Sequence, residues 1–226
     1  MGSVGLALPW EHNLSSVACD GEQRVESFEG QAGPVRTSEE LPQDAAIAAA
    51  CLSGNLQGYE RLYQWQGARM KNLARNLLGS QADAEDAVQE TFLKIQRSIS
   101  GFRGQSSFVT WTFRILVNTC HDLRRSRLRR KDWANEDVDA LPPRMELRAP
   151  GSHPSLRMAL ERALSKLTAH QRDVFLLYEV EGFRHAEIAG MLEISETASK
   201  NTLFQAKKNL RTMLEPPRSS ATGGAQ

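Results

Sequence analysis

Between Gln105 and Lys131 the chain runs without a proline or a glycine, and its apolar residues fall at helical intervals. That run predicts one long helix, and the rest of the chain has to be built around it. Phe113, Leu116, Val117, Cys120 and Leu123 form a stripe suited to face a core. Asn118, Asp122, Arg125 and Arg129, at spacings of four, three and four, form a polar stripe on another side. Arg124, Arg125, Arg127, Arg129, Arg130 and Lys131 then place six positive charges in eight residues. A basic helix end behind a Gly- and Ser-containing loop (Phe102 to Ser107) and aromatic residues suits phosphate contacts with base stacking. The same charges also suit a solvated tail on a buried helix, and this stretch alone leaves both readings open.

Upstream, three further helices are predicted. The Ala-rich run DAAIAAACLSGN starts at Asp44 and stops near Gly54. Leu56, Tyr59, Leu62, Tyr63, Met70, Leu73, Ala74, Leu77 and Leu78 carry a second helix to Gly79. In SQADAEDAVQETFLKIQRSI, Ser80 and Asp83 resemble a capping box, and Ala84, Val88, Phe92 and Ile95 supply the apolar stripe. Asp86, Gln89, Glu90 and Leu93 lie on a different face, a polar strip with one apolar member. With the long helix these predict a four-helix domain over residues 43–131.

Residues 132–153 lose periodicity, contain Pro142, Pro143, Pro150 and Gly151, and carry five acids against two bases, which reads as a flexible linker. A second small domain is expected over 154–215. Leu156, Met158, Ala159, Leu160, Ala163, Leu164 and Leu167 give its first helix a broad apolar side. Thr168 and Gln171 make a capping box for the next, with Gly182 as its stop. Ile188, Ala189 and Leu192, a turn at Ile194 and Ser195, and then Leu203, Ala206, Leu210 and Met213 give a helix-turn-helix layout. Ser195 is placed to cap its second helix, which carries Lys200, Lys207, Lys208 and Arg211. Residues 1–42 read as a disordered acidic extension and 216–226 as a disordered tail. The fold class is therefore all-α, with two helical domains.

The formal net charge of +1 conceals this partition, because residues 1–41 hold seven acids and two bases. Cys19, Cys51 and Cys120 are too few and too scattered for a disulfide frame or zinc site, and Cys51 and Cys120 fall on apolar helix positions as reduced core thiols. Asp86 and Glu90 could ligate a metal at their four-residue spacing, but the Glu-x-x-His partners of a di-metal bundle are missing from the sequence. No Walker loop, GxSxG or HExxH occurs, so neither a catalytic constellation nor a cofactor is expected. The N-terminus lacks the basic head and apolar stretch of a secretory signal, and no run is long enough to insert in a membrane, which suits a cytoplasmic protein.

Two blocks now resemble a known family in the right order. DAEDAVQETFLKIQRS followed by FRGQSSFVTWTFRILVNTCHDLRRSRLRR looks like region two of the extracytoplasmic-function (ECF) sigma factors of bacterial RNA polymerase, and LTAHQRDVFLLYEVEGFRHAEIAGMLEISETASKNTLFQAKKNLR looks like their region four. The resemblance implies a factor that binds core RNA polymerase and directs it to a two-part promoter. Asp86, Gln89 and Glu90 match the surface that docks on the clamp helices of the β′ subunit. Phe102, Arg103, Gln105 and Ser106 fall in the loop, Phe102 to Ser107, that matches the family's element for capturing a flipped base of the −10 element. Trp111, Asn118, Asp122, Arg125 and Arg129 match the −10 recognition and opening surface. Ser195, Thr197, Ser199, Lys200, Thr202 and Lys207 fall on the segment that reads the −35 element, with the domain resting on the β flap. An anti-sigma factor is a further partner that the family implies.

The chain departs from the pattern in places. Where members usually carry Gly-Thr-Val-Lys-Ser-Arg, it has Thr197-Ala198-Ser199-Lys200-Asn201-Thr202, so Lys200 is kept but Thr202 and Gln205 stand at Arg positions. Arg184 sits where a Ser or Thr cap is usual. The rival expectation is a helix-turn-helix regulator acting without polymerase. A reader of duplex DNA, however, needs neither the acidic face of the third helix nor strand-opening aromatics.

Overall fold

The computed structural model describes residues 40–134 and 154–214, with side chains placed over 42–129 and 158–214. Except at their inner edges, the expected extension, linker and tail lie outside the described residues. The first four helices are α1 (Glu40–Leu52), α2 (Leu56–Leu78), α3 (Gln81–Ser98) and α4 (Phe108–Ala134). A single 3₁₀ turn, Ile99–Gly101, leads into the loop before α4. The second group is α5 (Pro154–Ser165), α6 (Ala169–Phe175), α7 (His185–Leu192) and α8 (Glu196–Leu214), with Leu176–Val180 continuing α6 in a wider π turn. There are no strands among the described residues.

The helix boundaries are set by local chemistry. Asn55 and Ser80 accept N–H groups of the first turns of α2 and α3, and Gly79 ends α2 with φ of 72°. The Thr168–Gln171 capping box is fully formed, at 3.2 and 3.3 Å. Glu193, at φ 56°, breaks α7 in the left-handed region, and Ser195 Oγ accepts the Ala198 N–H to start α8. Arg184 has no capping hydroxyl to offer; instead the Glu187 carboxylate accepts the Arg184 N–H at 2.9 Å.

Asp44 differs from its expected part. Helix α1 already begins at Glu40, and the Asp44 carboxylate turns away to accept the N–H groups of Phe108 and Val109 at 2.7 and 2.8 Å. It therefore caps α4, whose positive end attracts the negative charge. The first three helices pack around Leu62, Met70, Leu73, Ala84, Ile95, Phe113, Leu116 and Val117, all fully buried. Leu56 and Tyr63, expected in the core, are instead 68% and 56% exposed. Leu62, Gln66, Met70, Leu73 and Leu77 set the buried phase of α2 and leave both on its outer side. At Gly58, α1 and α2 cross so closely that a Cβ would lie 2.8 Å from the Ala50 and Cys51 backbone.

In the second group Arg172 takes the place of an apolar residue. Its guanidinium is buried and donates to the carbonyls of Leu164, Ser165 and Leu167, satisfying the free end of α5. Met158 is exposed, whereas Ala163 and Leu164 of α5, and Leu167 just beyond its end, are buried. Met213 is likewise largely exposed on the last turn of α8.

The two groups also pack against each other, α4 against α7. Phe113 and Phe183 meet with ring centroids 5.2 Å apart, both fully buried.

Gly58→Ala is expected to destabilise the protein by about 1–3 kcal/mol, the range for overpacking, read from urea unfolding. Burial pushes the Cys51 thiol up to about 11 and the Cys120 thiol up to about 12. Alkylation at pH 8 with peptide mapping should therefore leave both unmodified in the native protein and label both in urea.

Candidate nucleic-acid interface

The loop from Phe102 to Ser107 is held at both ends and open in the middle. Phe102 and Ser107 are partly buried, whereas Arg103, Gly104, Gln105 and Ser106 are exposed, with Gly104 at φ 69°. Beneath it sits an aromatic cluster. Phe102 meets Phe108 at 5.2 Å edge-on and Trp111 at 5.4 Å, and Trp111 stacks on Phe108 at 5.7 Å. Phe108 is fully buried and Trp111 half-buried, so the indole has one packed face and a part that reaches the surface. Thr110 and Ser107 share a 2.7 Å hydroxyl contact, which ties the loop to the first turn of α4.

Asn118, Asp122, Arg125 and Arg129 are all exposed along α4, spanning about 17 Å at 1.5 Å per residue. Asp122 is the hub of this stripe. Its carboxylate accepts from Arg125 Nη2 at 2.6 Å and lies 3.7 Å from Lys94 Nζ on α3. The Arg125 hydrogen bond, with Lys94 adding to it, holds the Asp122 carboxyl below its usual value. Lys94 also donates to Thr119 Oγ1 at 3.1 Å, a contact between helices that the spacing of α4 alone did not reveal. Arg127, one of the basic run, pairs with Asp83 at the start of α3.

On α3, Asp86 and Gln89 are exposed and Glu90 is half-buried, with Leu93 45% exposed beside them. Tyr63 of α2 leans edge-on to Phe92 at 5.5 Å and covers Gly67. Tyr63, Gly67, Lys71, Glu85, Val88, Gln89 and Phe92 line a groove of about 380 Å³, in which Lys71 and Glu85 pair at 2.7 Å. Of the polar residues expected on this face, Gln89 lines the groove, and Tyr63 of α2 and Phe92 of α3 are its aromatic walls.

Region by region, α8 corrects the expected reading face. Ser199 is fully buried and its hydroxyl contacts His185 Nδ1 at 2.9 Å, so it presents nothing to a ligand. Thr202 is half-buried, and Lys207 pairs with Glu179 at 2.6 Å while lying over the Tyr178 ring. Ser195 is spent on the cap. The outward stripe is Thr197, Lys200, Asn201, Phe204, Gln205 and Lys208, all exposed, with Phe204 60% exposed. Counting outward from buried Leu203, Ala206 and Leu210 at 3.6 residues per turn would have found Asn201 and Phe204. Lys200 also makes a 2.8 Å pair with Glu196 one turn earlier.

These features define a class: a two-part helical protein with an open loop and polar helix face in one half and a helix-turn-helix in the other. Residues 62–133 match the family model described as Sigma-70 region 2, and residues 157–210 match that described as Sigma-70, region 4. The ECF RNA polymerase sigma factor SigM of Mycobacterium tuberculosis is 28% identical over 171 residues, covering 76% of this chain and 84% of the relative. The ECF RNA polymerase sigma-E factor of Haemophilus influenzae is 29% identical over 172 residues, covering 71% and 91%. Among solved structures, CnrH in complex with the cytosolic domain of CnrY superposes with a TM-score of 0.57 at 26% identity, over 76% of this chain and 96% of that one. The fold is also that of RpoE from Bartonella quintana, solved with the anti-sigma factor NepR, at TM-score 0.61 and 22% identity over 72% and 100%. The chain belongs to the ECF group of the sigma-70 family of RNA polymerase sigma factors.

Ser199→Ala should lower stability by about 1–2 kcal/mol by leaving His185 without its buried partner. The salt dependence of DNA binding by the same variant, followed by fluorescence anisotropy, should match that of the wild type.

Proposed function

We propose that this sigma factor engages core polymerase mainly through α3, opens the −10 element with α4 and its preceding loop, and reads the −35 element with the outward stripe of α8. The observation that carries this reading is the exposed α4 stripe lying beside the open Phe102–Ser107 loop, on a chain whose other half is a helix-turn-helix.

The boundaries of the two working parts are taken as 43–131 and 154–215. Asp86, Gln89 and Glu90 meet the basic partner surface on the β′ clamp helices, and the adjoining apolar groove takes a side chain from them. Arg103, Gln105 and Ser106 surround a base turned out of the duplex. Exposed Asn118, Arg125 and Arg129 follow the strand it leaves, with Asp122 fixing the direction of Arg125. Packed between Phe102 and Phe108, Trp111 supports the loop and offers its free edge for stacking. In α8, Lys200 and Lys208 hold phosphates while Asn201, Phe204 and Gln205 face base edges, Asn and Gln being suited to adenine and Phe to a thymine methyl.

The chain itself carries out no catalysis in this scheme; bond formation belongs to the polymerase. The work is done in the cytoplasm, where template and polymerase are, and no helix among the described residues is long and apolar enough to cross a membrane. Since its relative CnrH was solved with the cytosolic domain of CnrY, a protein inhibitor is proposed for this chain too.

Run-off transcription by core polymerase on sheared DNA from the source genome tests the whole reading. Discrete new transcripts with two fixed-spacing upstream blocks are expected only when the protein is added; their absence, with specific duplex binding intact, would transfer it to the independent regulators. Lys200→Ala should weaken −35 binding uniformly across sequences and flatten its log–log salt slope by about one unit. Asn201→Ala should instead relax the preference at one base position by about 1–3 kcal/mol.

A further inference from the structure

The polar stripe of α4 is bordered on one side by α3, and one side chain crosses between them. Lys94 Nζ donates to Thr119 Oγ1 at 3.1 Å and lies 3.7 Å from Asp122 Oδ2. Thr119 is buried and spends its own proton on the Ile115 carbonyl at 2.9 Å, so its oxygen can only accept from the ammonium. That bond fixes where the ammonium sits. Glu90 stands one turn before Lys94 on α3, the usual spacing for an ion pair along a helix, yet the ammonium crosses to α4 instead. One residue beyond exposed Leu93, Lys94 points about 100° around α3 from it, toward α4 and not outward.

Asp122 divides its two oxygens between two cations. Oδ1 accepts from Arg125 Nη2 at 2.6 Å, and Oδ2 faces Lys94. Arg125 first, and Lys94 with it, hold the Asp122 carboxyl below its usual value. Together the three groups carry one net positive charge. Without Lys94 the pair would be neutral, and a phosphate could engage Arg125 only by competing with the carboxylate beside it. With Lys94 in place, Asp122 keeps a cationic partner when Arg125 turns toward a ligand. Arg125 retains two-thirds of its side-chain surface, so its remaining N–H groups are open to one. Lys94 retains little more than a third of its own, with its ammonium directed at Thr119 and Asp122. It is placed to steer the stripe of α4, not to grip a strand itself.

We propose that Lys94 is a positioning residue of the −10 surface: anchored on Thr119, it neutralises and orients Asp122 from the α3 side, and so leaves the Arg125 guanidinium free to hold the displaced strand. The −10 surface is then built by two helices, and the one that supplies the anchor is the helix proposed to dock on polymerase. The part Lys94 plays in strand binding rests on the sigma reading above; its hold on Asp122 does not.

The test uses the full chain. The Asp122 carboxyl is titrated by carbon-detected NMR in the wild type, Lys94→Ala and Thr119→Val, with circular dichroism confirming native helix content. Its midpoint should rise in both variants, because a favourable cation is removed or loosened. Holoenzyme formed with core polymerase is then titrated, by fluorescence anisotropy, with the labelled non-template −10 strand of a promoter mapped by run-off transcription. Lys94→Ala should weaken strand binding about fivefold, the upper end of what an exposed pair contributes, and Lys94→Arg should restore most of it. In an Asp122→Ala background the same Lys94→Ala change should cost nothing, since it acts through the carboxylate. An unmoved Asp122 titration would overturn the contact itself. A loss that persists without Asp122 would make Lys94 a direct strand contact and overturn the positioning role. Wild-type strand binding by Lys94→Ala, or a loss confined to polymerase affinity, would overturn that role as well. If wild-type holoenzyme binds no −10 strand, the sigma reading and the role in strand binding fall together, while the titration still judges the contact.

Discussion

Two hydrogen bonds that the Asp44 carboxylate accepts from the first amides of α4 fix where the long helix begins. Everything functional is measured from that point. The amides belong to Phe108 and Val109, both buried, and Phe108 is the floor of the aromatic cluster under the loop. One carboxylate from the first helix thus satisfies orphan donors of the fourth and sets the height at which Phe102 and Trp111 pack. Because Asp44 is itself 8% exposed and already paired, its replacement would strand amides in the core.

The helices themselves were legible in the sequence. Gly54, Gly79 and Gly182 stop them where left-handed backbone is needed, and Thr168 with Gln171 starts one by a motif that needs no tertiary partner. Ser195 was readable for the same reason. Asp44 was not, since a Ser or Asp near a helix start reads as a cap for its own helix, and its real partner is sixty-four residues away. Arg172 was equally hidden: nothing in its neighbours signals that a guanidinium will close a helix end from inside the core.

The candidate site was legible in part. Asn118, Asp122, Arg125 and Arg129 share an exposed face because 3.6-residue spacing alone decides it. Family resemblance placed Ser199 on the reading face, whereas packing turned it inward to His185, and the outward places went to Asn201 and Phe204. Motif matching follows sequence position; exposure follows the phase set by Leu203, Ala206 and Leu210. The contact between the halves was invisible for a different reason. Phe113 is spaced like any core residue, and no periodicity tells which of two cores it completes.

The inward ties of α8 divide it cleanly. Ser199, Leu203, Ala206 and Leu210 hold the helix, and Tyr178 stacked on His185 at 4.4 Å backs its first turn. None of the outward positions Thr197, Asn201, Phe204 and Gln205 contributes a buried side chain. Substitutions there are close to neutral for folding. If these positions read the −35 element as proposed, copies of such a gene can drift toward different promoter sets one exposed residue at a time at little cost to folding.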